Sequence, residues 1–515
     1  MSFQIVRASA IITLLSLATM GANVLFQIFL AAVFGAGATT DAYLAAVTIP
    51  TLVNTVFLTA MNITFIPVFI EYEAKVSRLE AWRVANSFIV IVIVALCVAA
   101  LVGSLLSESL IGLIAPGLVR EGATLALAAS LQRILLPAMI LMAWGGLLGG
   151  LLYAQQAYVA ATTAPLLGNL AALALAWGLA ERLSIYGVAI GVLAGSGLQL
   201  LFLLVFLRLK YRAPFQFAFN HPGLYQIGRL MLPWLLGAMI YKANPIVDRL
   251  VASHFSAGAI SILGYAYMLA QLAVFASSKG ASLAVFPTMS RLVTAGQHGQ
   301  LPQAIDAGLR LVIILVAPVG VLLLFLGENV VGVTLQRGAF SPADARLTAL
   351  ALACYSGAIL ALSLGNILTY VYYALQDTKT PAIVGSLGMV LNLALALLLR
   401  DLVGFLAPAV SYSIMTLFNF AILAAILRRR LGRLVEPGFV SFCGKVGLAA
   451  LVMAAVLLLT RQSVAAIPAL SQLPPLFQLL YQGLSGAVCY LLVWGLGNRA
   501  LLGRAMARLT QRVAT

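Results

Sequence analysis

Apolar runs of about 20 residues or more recur from one end of this chain to the other, with no long polar stretch between them. About 20 apolar residues is the length that a helix needs to cross the hydrocarbon core of a bilayer. Hydrophobic residues make up 63% of the sequence and charged residues 9%. Because a water-soluble fold could not bury so much apolar surface, the sequence predicts an all-α polytopic membrane protein.

The polar breaks between these runs delimit about 14 transmembrane helices. The first run is too long for the core of a signal peptide, so we expect it to be retained as a helix. The four cysteines lie singly inside apolar runs, which predicts neither a disulfide nor a metal site. The predicted spans are 8–34, 41–70, 84–106, 125–153, 158–180, 185–208, 228–253, 258–290, 303–327, 343–373, 380–400, 404–428, 440–461 and 476–497.

Basic residues are concentrated in alternate connections between these spans, including the run Arg428-Arg429-Arg430. The positive-inside rule therefore predicts that both termini are cytoplasmic, as an even number of spans requires. The formal charge of +16 does not indicate nucleic-acid binding, because the basic residues form no single patch. The arginines of the C-terminal tail alternate with apolar residues and predict an amphipathic helix on anionic lipid: Arg499, Arg504, Arg508 and Arg512.

The chain also contains an internal repeat with an offset of about 220 residues. Phe34–Ala38 is similar to Phe255–Ala259, and Tyr153–Gln156 is similar to Tyr373–Gln376. A repeat of about six helices places the two copies in parallel, as in transporters that rock one half against the other. We expect an N-lobe of six helices at 1–220, a C-lobe of six helices at 221–435, and two additional helices with a basic tail at 436–515.

Nearly the whole chain resembles the MurJ/MviN family of lipid II flippases, within the superfamily of multidrug and lipid-linked oligosaccharide exporters. The two most specific matching motifs are Gln336–Asp344 and Tyr373–Pro381. The other matching segments are Phe34–Gly37, Thr40–Tyr43, Pro67, Val247–Arg249, Gly258–Ser261, Tyr265-Ala266 and Phe286–Arg291.

This resemblance implies a flippase that moves a polyprenyl-pyrophosphate-linked saccharide across the bacterial cytoplasmic membrane by alternating access. The first expectation for the cargo is lipid II, the peptidoglycan precursor. A cationic central cavity would take the pyrophosphate and sugar, and a groove toward the last two helices would take the lipid tail. The partners implied are the lipid-linked glycan and membrane lipids, with no nucleic acid, and the protein is expected to be a monomer and not an enzyme. No cofactor is implied, while a coupling ion such as sodium, or the membrane potential, stays open.

Several positions at which the family carries charged residues are uncharged in this chain. Met20 and Phe26 occupy the positions of two first-helix arginines, Asn54 and Thr55 those of a basic pair in the second helix, and Thr59 an acidic position. Tyr267-Met268 stands where the family usually has Asp-Arg. These differences leave open another lipid-linked oligosaccharide, such as an O-antigen or exopolysaccharide unit. A small-molecule exporter of the MATE type is a weaker alternative, because it would need an acidic cavity. A membrane enzyme would need paired carboxylates or a metal site, which are not evident, and a scaffold without transport activity also stays open.

Ionisable side chains inside apolar runs are candidates for function, because a charge near the bilayer centre costs a few kcal/mol. Lys242 and Lys279 are the candidates for contacting a pyrophosphate; Lys242 lies beside a helix break expected at Pro245. Arg133 is a further candidate for substrate binding, but it lies nearer a helix end, where an interface or headgroup role is as expected as a role in the cavity. Four neutral amides could bind sugar hydroxyls or form ordinary interhelical hydrogen bonds: Asn23, Gln27, Asn54 and Asn62.

Three charged residues near extracytoplasmic helix ends are candidates for gating or lobe contacts: Asp41, Asp248 and Arg249. Helix capping is the competing interpretation. The two specific motifs contain helix-start signals, in which Ser341 and Thr380 are predicted to cap backbone N–H groups ahead of a proline.

Overall fold

The computed structural model describes residues 2–211 and 216–497, and almost all of this part of the chain is helical. The predicted amphipathic tail, with Arg499, Arg504, Arg508 and Arg512, lies outside the described residues. The helices are α1 (Ser2–Phe34), α2 (Ala38–Ile63), α3 (Phe65–Lys75), α4 (Arg78–Leu105), α5 (Ser107–Ile114), α6 (Gly122–Ala154), α7 (Tyr158–Leu183), α8 (Ile185–Tyr211), α9 (Pro222–Tyr241), α10 (Asn244–Ala252), α11 (Ala259–Val274), α12 (Gly280–Thr294), α13 (Leu301–Thr334), α14 (Pro342–Ala374), α15 (Lys379–Val403), α16 (Ala407–Leu431), α17 (Phe439–Ala466), α18 (Pro468–Ser471) and α19 (Pro475–Gly497).

The predicted spans are confirmed within the described part of the chain. Thirteen helical segments are long and apolar enough to cross a membrane, and one of them, 379–431, contains both α15 and α16. The predicted total of about 14 therefore agrees with the structure. The sequence did not predict α5, a short helix in the connection between α4 and α6.

The chain forms two compact units. The first contains Met1–Ser261 together with Arg337–Phe340. Its long helix α6 packs against α2, α4, α5 and α8. Buried aromatic rings hold α3 to α4, with Phe65 stacked on Phe88 at 5.1 Å and Phe69 edge-on to Trp82 at 5.7 Å between ring centroids. These contacts come from one apolar face of each helix, as expected for a bundle.

The second unit contains Ile262–Gln336 and Ser341–Thr515. Within it, α14 packs between α13 and α16, and α17 packs against α13 and α19. Hydrogen bonds cross these contacts: the Tyr372 hydroxyl donates to the Leu423 carbonyl at 2.9 Å, and the Tyr490 hydroxyl to the Ile314 carbonyl at 3.0 Å. Such bonds satisfy hydroxyls that no water can reach in a bilayer.

The helix boundaries repeat with the offset found in the sequence. Helices α6 and α14 both have 33 residues, and each is followed by a glutamine with a positive φ, Gln156 at 58° and Gln376 at 59°. Helices α7 and α15 are followed by Ser184 and Gly404, which share a backbone conformation near φ 50–62° and ψ −137° to −139°. The duplication is therefore visible in the backbone of each unit, while the predicted lobe boundaries at 220 and 435 stay a prediction.

One of the two predicted helix starts is confirmed and the other is wrong. Ser341 and Asp344 form a reciprocal capping box at the start of α14. Thr380 does not cap α15; instead its own backbone N–H donates to the Asp377 carboxylate at 2.9 Å. Asp377 also accepts a hydrogen bond from the Thr380 hydroxyl, because a carboxylate is the stronger acceptor near a helix N-terminus.

Candidate functional site

The helix break predicted at Pro245 is present in the first unit. Helix α9 ends at Tyr241, and α10 begins at Asn244 with Pro245 in its first turn. Lys242 occupies the break, half-buried, with its Nζ atom 4.7 Å from the centroid of the Tyr241 ring. The ring face attracts the ammonium and keeps it next to the interrupted backbone. This arrangement presents a single cation at a point where the helix is open.

Asp248 and Arg249 lie one turn further along α10 and make different contacts. Asp248 is buried, and its Oδ2 atom accepts a hydrogen bond from the Asn244 side chain at 3.3 Å. Arg249 donates to the Pro245 carbonyl at 3.1 Å and approaches the Leu44 carbonyl of α2 at 3.5 Å. Arg249 therefore links α10 to the start of α2, while the hydrogen bond between Asn244 and Asp248 lies within α10.

Asp41 caps a helix that is distant in sequence. Its carboxylate is buried and accepts hydrogen bonds from the backbone N–H groups of Gly258 at 2.7 Å and Ser261 at 2.8 Å, at the start of α11. The capping interpretation of Asp41 therefore agrees with the structure, although the capped helix is α11 and not its own helix α2. A carboxylate at this position also satisfies the positive end of the α11 dipole.

One face of α2 is polar but uncharged, and threonine side chains line it. The hydroxyls of Thr51, Thr55 and Thr59 each donate to the backbone carbonyl four residues earlier, at 2.8–2.9 Å. Asn54 lies on the same helix, and its buried Oδ1 atom has no hydrogen-bond partner among the described residues. Each threonine oxygen keeps its acceptor lone pairs, so this face can accept hydrogen bonds but offers no positive charge.

Among the other predicted amides, the structure describes the side chains of Asn23 and Gln27. On α1, Asn23 is exposed and Gln27 is half-buried. Asn62 lies in the last turn of α2, and its side chain is outside the described residues.

Arg133 lies on the surface of the first unit. Its side chain is 51% exposed, its Nε atom donates to the Ser104 carbonyl at 3.3 Å, and its guanidinium lies 3.8 Å from the Glu108 carboxylate. These partners belong to α4 and α5, so the position agrees better with an interface or headgroup role than with a cavity.

Lys279 belongs to the second unit and ends a π-helical turn, Phe275–Lys279, between α11 and α12. Its side chain lies outside the described residues. The preceding Ser277 and Ser278 hydroxyls donate to the Ala273 and Val274 carbonyls at 2.6 and 2.8 Å. π-helical turns inside long helices are frequent at functional sites. The functional role of Lys279 stays a prediction.

Three tyrosines form a cluster that the sequence reasoning missed. The rings of Tyr267 on α11, Tyr355 on α14 and Tyr412 on α16 lie 5.5–5.8 Å apart, edge to face. Gln271 donates to the Tyr267 hydroxyl at 2.8 Å. Aromatic packing therefore occupies the place where the family resemblance expected the ionic pair Asp-Arg.

A large apolar cavity in the second unit was also missed. It has a volume of about 1690 Å³ and lies between α13, α14, α16 and α17. Its lining residues range from Leu309 to Ala450, so no local motif in the sequence could have indicated it. Three arginines lie at its edge: Arg428, Arg429 and Arg433.

Comparisons with known proteins indicate one family. The family model described as lipid II flippase MurJ matches residues 30–476. A probable lipid II flippase MurJ of Rickettsia prowazekii (strain Madrid E) is 24% identical over 436 residues, which cover 84% of this chain and 86% of the relative. A probable lipid II flippase MurJ of Vibrio cholerae is 29% identical over 300 residues, 58% of this chain and 57% of that relative.

Two solved structures share the fold. One is described as lipid II flippase MurJ in an inward closed conformation, with a TM-score of 0.82 at 21% identity, covering 95% of this chain and 99% of that chain. The other is an inward-facing MATE family multidrug resistance transporter of the MOP superfamily, with a TM-score of 0.70 at 14% identity, covering 81% and 95%.

Proposed function

The chain belongs to the lipid II flippase MurJ family, and on that premise we propose that it moves a polyprenyl-pyrophosphate-linked saccharide, lipid II first, across the cytoplasmic membrane. The match of the family model to residues 30–476 is the observation that carries this proposal. Translocation would proceed by alternating access of the N-lobe and C-lobe, 1–220 and 221–435, with both termini in the cytoplasm. The protein would work as a monomer, without changing a covalent bond of its cargo and without nucleic acid as a partner.

The pyrophosphate is proposed to meet Lys242 and Lys279. Lys242 offers an ammonium at an open helix break, and Lys279 is the last residue of a π-helical turn. A charge-assisted contact to a phosphate oxygen is among the stronger hydrogen bonds that a protein can make. The neutral side chains Asn23, Gln27, Asn54 and Asn62 are proposed for sugar hydroxyls. Asn54 is supported by its buried amide oxygen, which has no hydrogen-bond partner among the described residues.

Asp41, Asp248 and Arg249 are proposed to stabilise one conformation of the transport cycle. The hydrogen bonds of Asp41 and Arg249 connect the start of α2 to the start of α11 and to the last turn of α10, at the predicted extracytoplasmic side. Arg133 is proposed to contact lipid headgroups, because half of its side chain is exposed.

A second candidate cargo is another lipid-linked oligosaccharide. The observation that favours it is the uncharged face of α2, where Asn54, Thr55 and Thr59 offer no cation to a pyrophosphate. Such a face suits a cargo whose recognition depends more on the sugar than on the phosphates.

Depletion of the protein in its own cell distinguishes these candidates. Lipid II is expected to accumulate in the cytoplasmic leaflet, and the outer-leaflet pool is expected to fall, as measured by separating polyprenyl-linked intermediates from each leaflet. Accumulation of a different lipid-linked glycan would establish the second candidate instead. If no polyprenyl-linked intermediate accumulates, the proposed function is wrong.

The proposed pyrophosphate contacts can be tested in proteoliposomes that translocate the identified cargo. Lys242→Gln and Lys279→Gln are each expected to lower the initial rate roughly tenfold, since a hydrogen bond to a charged group contributes about 1.5–3 kcal/mol. The matched control is Lys210→Gln, because Lys210 also lies over an aromatic ring, Phe206 at 5.3 Å, but at the end of α8. Full activity of both variants would rule out these contacts while leaving the cargo assignment intact.

A further inference from the structure

The apolar cavity of the second unit is too large for an ordinary small ligand. Its volume of about 1690 Å³ exceeds the roughly 300–1,000 Å³ of typical small-molecule pockets. Hydrocarbon side chains form most of its wall, including Ile313 and Val316 of α13, Leu360 and Leu364 of α14, and Phe420 of α16. Besides the charged groups at its edge, the described lining side chains with a polar or sulfur atom are Ser356 and Cys443. A glycan would find few partners here, whereas long hydrocarbon chains would fit.

The edge of the cavity carries a net positive charge. Arg428 and Arg429 lie in the last turn of α16, and Arg433 follows in the connection to α17. Among the described lining residues, Glu436 is the one with a carboxylate. None of these three arginines lies within ion-pair distance of a carboxylate in the described part of the chain. Arg430 is different, because it pairs with Asp377 and does not line the cavity. Three guanidinium groups at the mouth therefore have no carboxylate partner among the described residues.

The connection that carries this edge is held firmly in place. The Asp306 carboxylate of α13 accepts the backbone N–H of Glu436 at 3.1 Å and binds Arg310 at 2.6 Å. The Arg310 guanidinium lies 5.6 Å from the ring of Phe439 and 4.9 Å from that of Phe442, at the start of α17. The mouth of the cavity is therefore preorganised, which reduces the entropic cost of binding a ligand.

We propose that this cavity binds one anionic glycerophospholipid of the cytoplasmic leaflet, with its phosphate on Arg428, Arg429 and Arg433 and its acyl chains between α13, α14, α16 and α17. The charge of the mouth complements a phosphodiester, and the wall complements acyl chains. Arginines at the cytoplasmic ends of transmembrane helices lie at the depth of lipid phosphates. The lipid would act as a resident molecule that joins α17 to the rest of the unit. This inference assigns the cavity to a resident lipid and not to the prenyl tail of the cargo, and it does not depend on which saccharide the cargo carries.

Native mass spectrometry of the full chain in detergent tests the proposal, with dioleoyl phosphatidylglycerol as the probe and dioleoyl phosphatidylcholine as its zwitterionic counterpart. The wild type is expected to bind one phosphatidylglycerol at least tenfold more tightly than phosphatidylcholine. The variant Arg428→Gln/Arg429→Gln/Arg433→Gln should weaken phosphatidylglycerol binding roughly 100-fold, about fivefold for each arginine. A control that removes cytoplasmic basic residues elsewhere, Arg208→Gln/Lys210→Gln/Arg229→Gln, should retain wild-type affinity.

A second variant fills the cavity without changing its charge. Gly320 and Gly447 line the cavity, and a Cβ atom at either position would meet no atom within 4 Å. Gly320→Leu/Gly447→Leu should therefore fold and lose tight phosphatidylglycerol binding. If this variant does not fold, a photoactivatable phosphatidylglycerol bound to the wild type should crosslink to residues of α13, α16 or α17.

Three outcomes would overturn the proposal. The first is phosphatidylglycerol binding that survives removal of the three arginines, and the second is a crosslink that maps elsewhere in the chain. The third is displacement of phosphatidylglycerol by an equimolar amount of undecaprenyl phosphate, which would assign the cavity to the prenyl chain of the cargo. The depletion experiment on the cargo is independent of all three.

Discussion

Asp377 shows how one residue can organise the connection between two helices. Its carboxylate accepts hydrogen bonds from the Thr380 backbone and hydroxyl and pairs with Arg430, whose guanidinium lies 5.6 Å from the Tyr372 ring centroid. Burial raises the pKa of Asp377, but the hydrogen bonds from Thr380 and Arg430 and the charge of Arg430 outweigh burial and lower the pKa to about 2. The ionised carboxylate is therefore the form that the fold stabilises.

We predict that Asp377→Asn lowers the stability of the detergent-solubilised protein by about 1 kcal/mol, because the amide keeps the cap but loses the ion pair. A depressed pKa contributes stability above the ordinary pKa of 3.8, and this contribution is lost as pH falls toward 2. The Tm difference between wild type and variant should therefore stay constant from pH 7 to pH 5 and narrow below about pH 4. Asp401→Asn is the control, since that carboxylate is 84% exposed, and it should leave Tm unchanged. A Tm difference that grows on acidification would contradict this assignment.

The two copies of the helix repeat share an unusual backbone conformation, which a serine adopts in the first copy and a glycine in the second. Ser184 after α7 has φ 50° and ψ −137°, and Gly404 after α15 has φ 62° and ψ −139°. This region is open to glycine and costs another residue roughly 1–3 kcal/mol. The second copy of the repeat therefore has glycine at this position, and the first copy has serine, which is strained there.

The reciprocal substitutions give a testable prediction. Ser184→Gly should raise the free energy of unfolding by about 1 kcal/mol, and Gly404→Ser should lower it by a similar amount. Thermal unfolding of the two variants, followed by fluorescence-detected gel filtration, measures both signs. A lower Tm for Ser184→Gly would show that the serine side chain contributes more than its backbone strain costs.

The sequence predicted the long helices well because each transmembrane helix must carry enough apolar residues of its own to cross the bilayer. A span needs its own apolar length, so the spans, the break at Pro245 and the capping box at Ser341 are local signals. Local signals did not indicate α5, which is too short to span, or the role of Asp377, whose carboxylate accepts the backbone N–H of Thr380.

The candidate site was less predictable, because its contacts join residues that are distant in sequence. Asp41 caps N–H groups 217 and 220 residues away, and the sequence around position 41 does not indicate which residues these are. The cavity wall combines four helices between Leu309 and Ala450. The cost of a charge in a membrane indicated Lys242 as a candidate, but its contact with the Tyr241 ring became visible only in the structure.

At the scale of the whole molecule, the distribution of basic residues and the order of the spans predict one topology. With a cytoplasmic N-terminus, each span reverses the side, so Glu121 before α6 and Gln472 before α19 face outward. Ser77 before α4 and Gln297 before α13 then face the cytoplasm. An error of a single crossing would reverse every connection beyond it, so four positions spread along the chain test the complete path.

Single cysteines at these four positions should report that path in intact cells. The background is a variant without native cysteines, obtained by replacing Cys97, Cys354, Cys443 and Cys489 with alanine. A membrane-impermeant maleimide is expected to label Glu121→Cys and Gln472→Cys from outside, and Ser77→Cys and Gln297→Cys only after permeabilisation. The background variant without added cysteines controls for labelling of other groups. Outside labelling of Gln297→Cys together with Glu121→Cys would mean that the predicted number of crossings between α6 and α13 is wrong. The predicted parallel orientation of the two copies would then also be wrong, because it requires an even number of crossings in each copy.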